Sequence, residues 1–444
     1  LLESLKWLGI NWDEGPDVGG DFKPYKQSER LKVYAEYLKK LLDESKVYYC
    51  FCTEEELEAQ RQEQLSRGEA PKYSGKCLKI SEKEIKKNLS AKRQYVIRFK
   101  TPSKKIKIED LIRGKVEFDT GLMGDFVIAK SFQRPLYNFS VAIDDSEMKI
   151  SHVIRGEDLL PSTPKQILIQ EALGLSQPAF AHLPLILGTD RSKLSKRHEA
   201  KAISGYRKEG YLPEAIINFI AFLGWNPGGE REIYSLLSLV KEFSLEKVQK
   251  GGAIFNNQRL DFLNGFYIRQ RSLEKLTELC LPYLIEAGFI ELIEGDPKEP
   301  LKYRVKENQE IINLNFLQEV IALYQERLKK LSEITELTDF FFKDELEYNK
   351  ELLKWREMKN EEIASSLARL EEILTKIGEK DWQRENLQKI LLIEAQKLGD
   401  KGALLWPLRV SLTGKEASAG PFEIAQILGK NKTLKRIKRA QSLL

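Results

Sequence analysis

The hydrophobic pattern of the first 135 residues changes its period once. Residues 1–8 are typical of a short amphipathic helix, and a second helix is predicted within residues 26–42. The apolar positions that predict it lie on one helix face: Leu31, Tyr34, Leu38 and Leu41. Beyond residue 50 apolar residues alternate with polar ones, first at 95–99 and then in short runs at 115–119 and 126–130. We therefore expect helices followed by a mixed α+β segment.

Strand and helix patterns follow one another between residues 136 and 187. A first strand is predicted from apolar residues at every second position: Tyr137, Phe139, Val141 and Ile143. Two more strands are predicted at 152–154 and 178–187, with a helix between them. Strand, helix and strand in this order predict half of a doubly wound α/β domain.

The helix between these strands carries start and stop signals. Thr163 is the expected N-cap, Pro164 stands in the first turn, and Gln166 is placed to complete a capping box. Gly174 is expected to end the helix.

Beyond residue 200 the spacing is almost entirely helical. One apolar stripe precedes Gly378 and consists of Ile363, Leu367, Leu370, Leu374 and Ile377. Another precedes Gly399 and consists of Leu387, Ile390, Leu391 and Ala395. The second half of the chain is therefore predicted to be all-α.

The composition is that of an ordinary intracellular protein. Of the 444 residues, 42% are hydrophobic and 31% are charged, and no apolar run approaches the length of a transmembrane helix. Four cysteines in a chain of this length argue against a disulfide scaffold. We expect two to four domains, a cytoplasmic location and no membrane partner.

The net charge of +5 is small, but basic residues are concentrated in two runs. The first run contains Lys92, Arg93, Arg98, Lys100, Lys104, Lys105 and Lys107. The second run contains Lys430, Lys432, Lys435, Arg436, Lys438 and Arg439. One such run is most often a solvated surface, whereas two runs far apart in the sequence favour a long polyanion over a small ligand.

Three cations lie within residues 193–197, Lys-Leu-Ser-Lys-Arg, after a polar turn that follows a predicted strand. Their repulsion must be relieved by water or by a bound anion. A solvated turn is the simpler explanation for this string alone. Its position favours an anion, because α/β folds bind ligands at the ends of strands. Flexible lysines would also stabilise the charge that develops when a carboxylate attacks the α-phosphate of ATP.

The string at 193–197 is similar to the second signature loop of class I aminoacyl-tRNA synthetases. Other strings narrow the resemblance to the bacterial-type glutamyl-tRNA synthetases. They occur in the family's order at 7–16, 25–30, 152–158, 181–186, 210–215, 223–225, 406–409 and 420–423. One such string is weak, whereas an ordered series over essentially the whole chain is specific.

The resemblance implies an α/β fold in which a Rossmann-like catalytic domain, incomplete here, carries an α+β insertion and is followed by an all-α anticodon-binding region. Five segments follow from it. They are the remainder of the first catalytic half (1–49), an acceptor-stem-binding insertion (50–135), the second catalytic half with the lysine loop (136–200), a helical stem-contact region (201–262) and an all-helical anticodon-binding domain (263–444).

The resemblance also implies the activity of a glutamate–tRNA ligase. Glutamate and ATP, the latter with Mg²⁺, would give glutamyl-adenylate, and the glutamyl group would pass to the 3′ end of tRNA(Glu). No protein nucleophile is needed, because the work is positioning and charge stabilisation. A monomer is expected.

Individual roles follow from the same resemblance. Tyr137 and Val141 would line the glutamate pocket, and Arg155 would pair with a substrate carboxylate. Asp158 and the backbone of Ile186 would contact ATP. The loop residues expected at ATP are Lys193, Ser195, Lys196 and Arg197, with Lys193 and Lys196 as the catalytic pair. Simpler alternatives are a surface ion pair for Arg155, a packed aromatic for Tyr137, an ordinary loop acid for Asp158 and a core position for Ile186.

Cys50, Cys52 and Cys77 resemble a zinc-binding element that some members of the family carry. That element ends in Cys-x-His, whereas Lys79 stands where the fourth ligand would be. An ammonium group cannot coordinate zinc, and structural zinc takes four ligands. The sequence therefore argues against zinc and predicts cysteines that pack as small apolar residues.

The first signature of the class, a His-x-Gly-His loop, does not occur in these residues. We expect a truncated sequence that does not form adenylate by itself, although it binds tRNA. A catalytically dead tRNA-binding relative is the alternative, and within enzymes a non-discriminating one that also charges tRNA(Gln).

Overall fold

The computed structural model describes residues 1–195, 201–293 and 301–444. The chain divides into two compact units. The first consists of Leu1–Ala200 and Ile220–Phe255, and the second of Lys201–Phe219 and Asn256–Leu444. Within the described ranges, no helix is long and apolar enough to cross a membrane.

The regular elements of the described residues are as follows. The helices are α1 (Leu2–Trp7), α2 (Leu31–Asp43), α3 (Glu54–Ser66), α4 (Glu82–Ser90), α5 (Tyr137–Glu147), α6 (Thr163–Leu173), α7 (Ile203–Lys208), α8 (Pro213–Ala221), α9 (Leu236–Glu242), α10 (Asn257–Arg269), α11 (Leu273–Glu286), α12 (Leu314–Ala322), α13 (Glu333–Thr338), α14 (Asn360–Lys376), α15 (Arg384–Lys397), α16 (Gly402–Thr413) and α17 (Pro421–Gln441). The strands are β1 (Val47–Cys50), β2 (Val96–Phe99), β3 (Lys105–Asp110), β4 (Gly114–Asp119), β5 (Val127–Ser131), β6 (Arg134–Pro135), β7 (His152–Gly156), β8 (Ala179–Leu183), β9 (Ile186–Leu187), β10 (Ala253–Ile254), β11 (Ile290–Ile293), β12 (Lys302–Val305) and β13 (Ile311–Asn313).

The first unit packs an antiparallel sheet against helices. The sheet has the strand order β1-β2-β5-β6, and β3 and β4 form a separate hairpin. One core joins the sheet to α2, α5 and α6, and its buried residues include Tyr34, Leu38, Leu41, Ile97, Phe99, Ile128, Phe139, Ile143 and Leu168. The helix predicted within 26–42 and the alternation at 95–99 are thereby confirmed.

The strand predicted from Tyr137, Phe139, Val141 and Ile143 is wrong, because this segment is the helix α5. The same apolar residues also satisfy helical spacing. Phe139, Ala142 and Ile143 stand at positions i, i+3 and i+4, and all three are completely buried. A strand would have turned Ala142 away from Phe139, whereas the helix brings both to the core face.

The strand–helix–strand unit predicted between residues 152 and 187 is confirmed, with β7 and β8 parallel and Arg155 opposite His182. Gly174 ends α6 in the left-handed conformation, as predicted. The predicted cap is wrong, because α6 begins at Thr163 itself and no side chain caps it. Thr163 and Gln166 instead accept hydrogen bonds from Arg155, whose charge makes it a strong donor.

The second unit is helical, as predicted, and also contains a small antiparallel sheet of β11, β12 and β13. The sheet was not predicted, because strands of three or four residues are too short to establish a period. Its buried face consists of Ile290, Tyr303, Val305 and Ile312. The two apolar stripes are confirmed as the buried faces of α14 and α15.

A buried ion pair joins α2 to α5. Nε of Arg30 donates to Oδ1 of Asp144 at 2.8 Å, and both side chains are almost fully buried. Tyr34 and Gln27 donate to the same carboxylate. Burial, together with the hydrogen bond to Asp144, raises the pKa of Tyr34, so its hydroxyl remains a donor. The helices α2 and α5 are therefore fixed by charge as well as by apolar packing.

Replacing Arg30 with Ala should lower the free energy of unfolding by about 3–5 kcal/mol, because it leaves the Asp144 charge buried without its cation. Urea unfolding of the two proteins measures the loss. Lys26→Ala is the matched control: its ion pair with Glu29 is exposed and spans 3.8 Å, so the expected change is below ~1 kcal/mol. Equal midpoints for Arg30→Ala and the parent chain would contradict the prediction.

Candidate active site

Arg155 lies near the end of β7 and is held by three residues of α6 and β8. Its Nε donates to Nε2 of His182 at 3.2 Å, and its Nη2 donates to Oγ1 of Thr163 and Oε1 of Gln166, both at 2.9 Å. The guanidinium lies 5.6 Å from the ring centre of Phe180. Within the described residues, Nη1 donates no hydrogen bond and Arg155 has no ion pair with an acid. The unengaged end of a fixed guanidinium suits a carboxylate ligand.

A buried carboxylate near Arg155 was not predicted from the sequence. Asp145 in α5 is 9% exposed, and its Oδ2 atom has no hydrogen-bond partner in the described part of the chain. Burial raises the pKa of Asp145 to about 6, against the opposing effect of the Arg155 charge. The only sign of it in the sequence is the pair of adjacent acids at 144–145. Only the fold distinguishes its members, since Asp144 is neutralised by Arg30.

Tyr137 and Val141 lie one turn apart on α5, which places them on the same side of the helix. Tyr137 is 47% exposed, which excludes the alternative of an aromatic packed in the core. Next to it, Oδ1 of Asn138 accepts from Nε2 of Gln166 at 3.1 Å, and Gln166 also accepts from Arg155. These hydrogen bonds tie the start of α5 to the guanidinium.

The lysine loop begins as a tight hairpin after β9. The amide of Leu194 donates to the carbonyl of Ile186 at 2.9 Å, and the amide of Gly188 donates to Ser192 at the same distance. Ile186 is 36% exposed and pairs with Ala253 of β10, so it is an edge residue rather than a core residue. The carbonyl of Ile186 is therefore engaged in the hairpin.

Two of the predicted ATP contacts meet in this hairpin. Nζ of Lys193 lies 2.8 Å from Oδ2 of Asp158, which stands in the turn after β7. The hydrogen bond from Lys193 lowers the pKa of Asp158. Ser195 is the last described residue of the loop, and Lys196 and Arg197 lie outside the described residues.

Together these groups place two kinds of anion-binding side chain near the carboxyl ends of β7 and β8. Parallel strands bring their carboxyl ends to one edge, where α/β folds bind ligands. A fixed guanidinium such as that of Arg155 suits a carboxylate, and an exposed cation such as Lys193 suits a phosphate. The arrangement suits the joining of a carboxylate to a phosphoryl group.

Cys50, Cys52 and Cys77 come together at the end of β1. Their sulfur atoms all lie within 4.8 Å of one another, and those of Cys52 and Cys77 are 3.5 Å apart. The fourth polar group of the cluster is the hydroxyl of Tyr73, 3.4 Å from Cys50 Sγ and 3.6 Å from Cys52 Sγ. Three sulfurs suit a soft cation, but the usual fourth ligand of structural zinc is Cys or His, whereas the described residues of this cluster offer a phenol. The donor set is therefore one short of an ordinary zinc site.

The two basic runs are only partly available to a polyanion. Lys430, Lys432 and Arg436 donate to backbone carbonyl groups of their own unit. Arg436 is 3% exposed, and burial lowers its pKa to about 10. Arg98 of the first run is also buried. The second run keeps exposed cations beside a cavity of about 290 Å³, namely Lys435, Lys438 and Arg439. Within the second run, charge counting cannot distinguish the buried cations from the exposed ones, because all of them lie on the same helix, α17.

Comparison with known proteins covers the whole chain. A family model described as the catalytic domain of class I tRNA synthetases (E and Q) matches residues 1–262, and an anticodon-binding domain matches residues 275–441. The chain is 44% identical to glutamate–tRNA ligase 1 of Caldicellulosiruptor saccharolyticus, over 98% of this chain and 87% of that protein. It is 42% identical to glutamate–tRNA ligase of Carboxydothermus hydrogenoformans, over 98% and 88%. The crystal structure of a glutamate tRNA ligase from Elizabethkingia meningosepticum, in complex with its amino acid, is similar with a TM-score of 0.81 and 34% identity, over 100% of this chain and 88% of that one.

Proposed function

We propose which residues carry out the glutamate–tRNA ligase reaction in this chain, which belongs to the class I tRNA synthetases for glutamate and glutamine. Glutamate and ATP give glutamyl-adenylate and pyrophosphate, and the glutamyl group then passes to the 3′ end of tRNA. The observation that carries the proposal is the fixed guanidinium of Arg155 near the end of β7, where Asp158 of the following turn also holds Lys193.

Glutamate binds with one carboxylate on Nη1 of Arg155 and its side chain along Tyr137 and Val141. The contacts to His182, Thr163 and Gln166 support this role, because they fix the guanidinium plane before the substrate arrives. The second carboxylate of the substrate remains free to attack ATP.

ATP binds along the lysine loop, with Asp158 and the backbone of Ile186 beside the nucleoside. Lys193, Ser195, Lys196 and Arg197 follow the phosphates, and Mg²⁺ accompanies them. Lys193 must leave Asp158 to reach a phosphate, and the exposure of this pair supports an exchange of one anion for another. Negative charge grows on the α-phosphate in the transition state, so the lysines contribute more there than in the ground state.

The RNA substrate is tRNA(Glu), and the chain works as a cytoplasmic monomer in which the four free thiols stay reduced. Charging assays with glutamate test the proposal. Charging of tRNA(Glu) supports it, and equal charging of tRNA(Gln) would identify a non-discriminating enzyme. Binding of tRNA by a chain that never charges it, even with a His-x-Gly-His segment supplied, would favour the catalytically dead relative. That the 444 residues alone do not form adenylate stays a prediction, which ATP–pyrophosphate exchange checks.

Binding of tRNA should weaken steeply with salt, and Lys435→Ala should reduce the slope of log K against log salt by about one. Lys435 is exposed beside the basic cavity, where a phosphate can reach it. Lys432→Ala is the matched control, because Nζ of Lys432 already donates to the carbonyl of Phe341. This substitution should change stability rather than the slope. An unchanged slope in Lys435→Ala would remove this residue from the RNA surface.

Zinc analysis of the purified chain should give well under one equivalent, because the described residues provide no fourth nitrogen or sulfur ligand beside Cys50, Cys52 and Cys77. Mass spectrometry of the metal content after dialysis against metal-free buffer provides the measurement. Stoichiometric zinc that disappears in Cys77→Ser would contradict the prediction and would make Tyr73 the first candidate for the fourth ligand.

A further inference from the structure

We propose that Asp110 and His182 are positioning residues for glutamate binding: Asp110 fixes the tautomer of His182, and the ring thereby presents the lone pair that holds Arg155. The inference rests on the proposed role of Arg155 as the carboxylate ligand. It adds to that role a residue of the insertion hairpin, since Asp110 ends β3 and lies 72 residues before His182.

The carboxylate of Asp110 is oriented by the backbone. Its Oδ1 atom accepts hydrogen bonds from the amides of Ile112, Arg113 and His182, at 3.0, 2.8 and 3.2 Å. Burial alone would raise the pKa of Asp110, but these hydrogen bonds and the one from the His182 ring hold it below its ordinary value. Asp110 is therefore an anion whose Oδ2 atom is the single oxygen left for the ring.

The ring of His182 is completely buried between this carboxylate and Arg155. Nδ1 lies 2.6 Å from Oδ2 of Asp110, so Nδ1 carries the proton. Nε2 then has a lone pair, which accepts from Nε of Arg155 at 3.2 Å, and the Thr163 hydroxyl lies at the same distance from it. The other tautomer would place an N–H of the ring against the N–H of the guanidinium, and this hydrogen bond would be lost. The ring also stacks on Phe180, at 6.2 Å between centroids, which limits its rotation.

The backbone contacts make Asp110→Asn a sharp test. Three amides donate to the position of Oδ1, so the amide oxygen of the new residue must stay there. The NH₂ group then faces Nδ1 of His182 and donates to it. The proton moves to Nε2, where Oγ1 of Thr163 lies within hydrogen-bond distance, and the ring no longer accepts the hydrogen bond from Nε of Arg155.

Two measurements follow from this variant. In ¹⁵N spectra of histidine-labelled protein, the His182 signals should change from Nδ1-protonated to Nε2-protonated. Glutamate affinity, measured by calorimetry, should fall roughly tenfold, the effect of one hydrogen bond to a charged group. In an exchange assay of the enzyme supplied with a His-x-Gly-His segment, the loss should appear in the KM for glutamate, with kcat and the KM for ATP little changed. The matched control is Glu109→Gln, the same change on the exposed face of β3, where the side chain is 83% exposed.

A double-mutant cycle separates positioning from general damage to the fold. His182→Gln removes the ring whose tautomer Asp110 sets. In that background Asp110→Asn should cost no further glutamate affinity, whereas independent losses would add.

The results also distinguish the hydrogen-bond network of Asp110, His182 and Arg155 from the role of Arg155 in glutamate binding. An Nε2-protonated His182 in the parent protein would overturn the network. So would an unchanged affinity in Asp110→Asn, or losses that add in the double variant. If Arg155→Ala leaves glutamate affinity unchanged while the tautomer is as expected, the assigned role of Arg155 fails, and with it the inference for glutamate binding.

Discussion

Replacing Arg155 with Ala is expected to weaken glutamate binding roughly a hundredfold. Removing one partner of a desolvated charge pair costs about 3 kcal/mol, which is about two powers of ten in affinity. Arg155→Lys should recover little of it. The ammonium keeps the charge but cannot hold His182, Thr163 and Gln166 in one plane while offering a further donor.

Calorimetric titration of glutamate into the parent chain and the variants provides the measurement. Arg61→Ala is the control, because Arg61 lies on the exposed surface of α3 with only a loose ion pair to Glu58. A surface role for Arg155 would be supported if Arg155→Ala and Arg61→Ala bound glutamate equally well.

Lys196→Ala should have the second large effect, on chemistry rather than on binding. Removing one group that stabilises a developing charge costs roughly 10²–10³-fold in rate. Adenylate formation should fall by that order, and the affinity for glutamate should change less than about twofold. ATP–pyrophosphate exchange measures the rate, in the enzyme supplied with a His-x-Gly-His segment if the 444 residues alone do not exchange.

Lys193→Ala provides a comparison within the same loop. Lys193 lies beside Asp158, so its loss should affect ATP binding as well as the rate. Lys208→Ala is the control, on the short helix α7 beyond the loop. Equal losses of glutamate affinity and of exchange rate in Lys196→Ala would contradict the proposed role of this residue.

The helices of the second unit could be predicted from spacing alone. In α14, Ile363, Leu367, Leu370 and Leu374 recur every three or four residues, and all are buried. Helical hydrogen bonds are local, so period and a glycine after the last turn suffice to place such an element. The short sheet of β11 to β13 depends instead on pairing between segments, which a local period does not show.

The helix α5 marks the limit of this reasoning in the first unit. Phe139 and Ile143 fit both an alternating and a helical spacing, and only the burial of Ala142 between them decides for the helix. The capping signal failed for a related reason. The side chains of Thr163 and Gln166 accept hydrogen bonds from the charged Arg155, near the end of β7, instead of capping α6.

By itself the sequence determined the family and located the lysine loop and Arg155, because these depend on the order of short strings. The tertiary structure decided which partners hold those residues. Asp110 reaches His182 across 72 positions, Tyr73 enters the cysteine cluster, and Arg436 is buried rather than free for RNA. Hydrogen bonding and burial depend on groups that the chain brings together only when folded, and no local pattern contains that information.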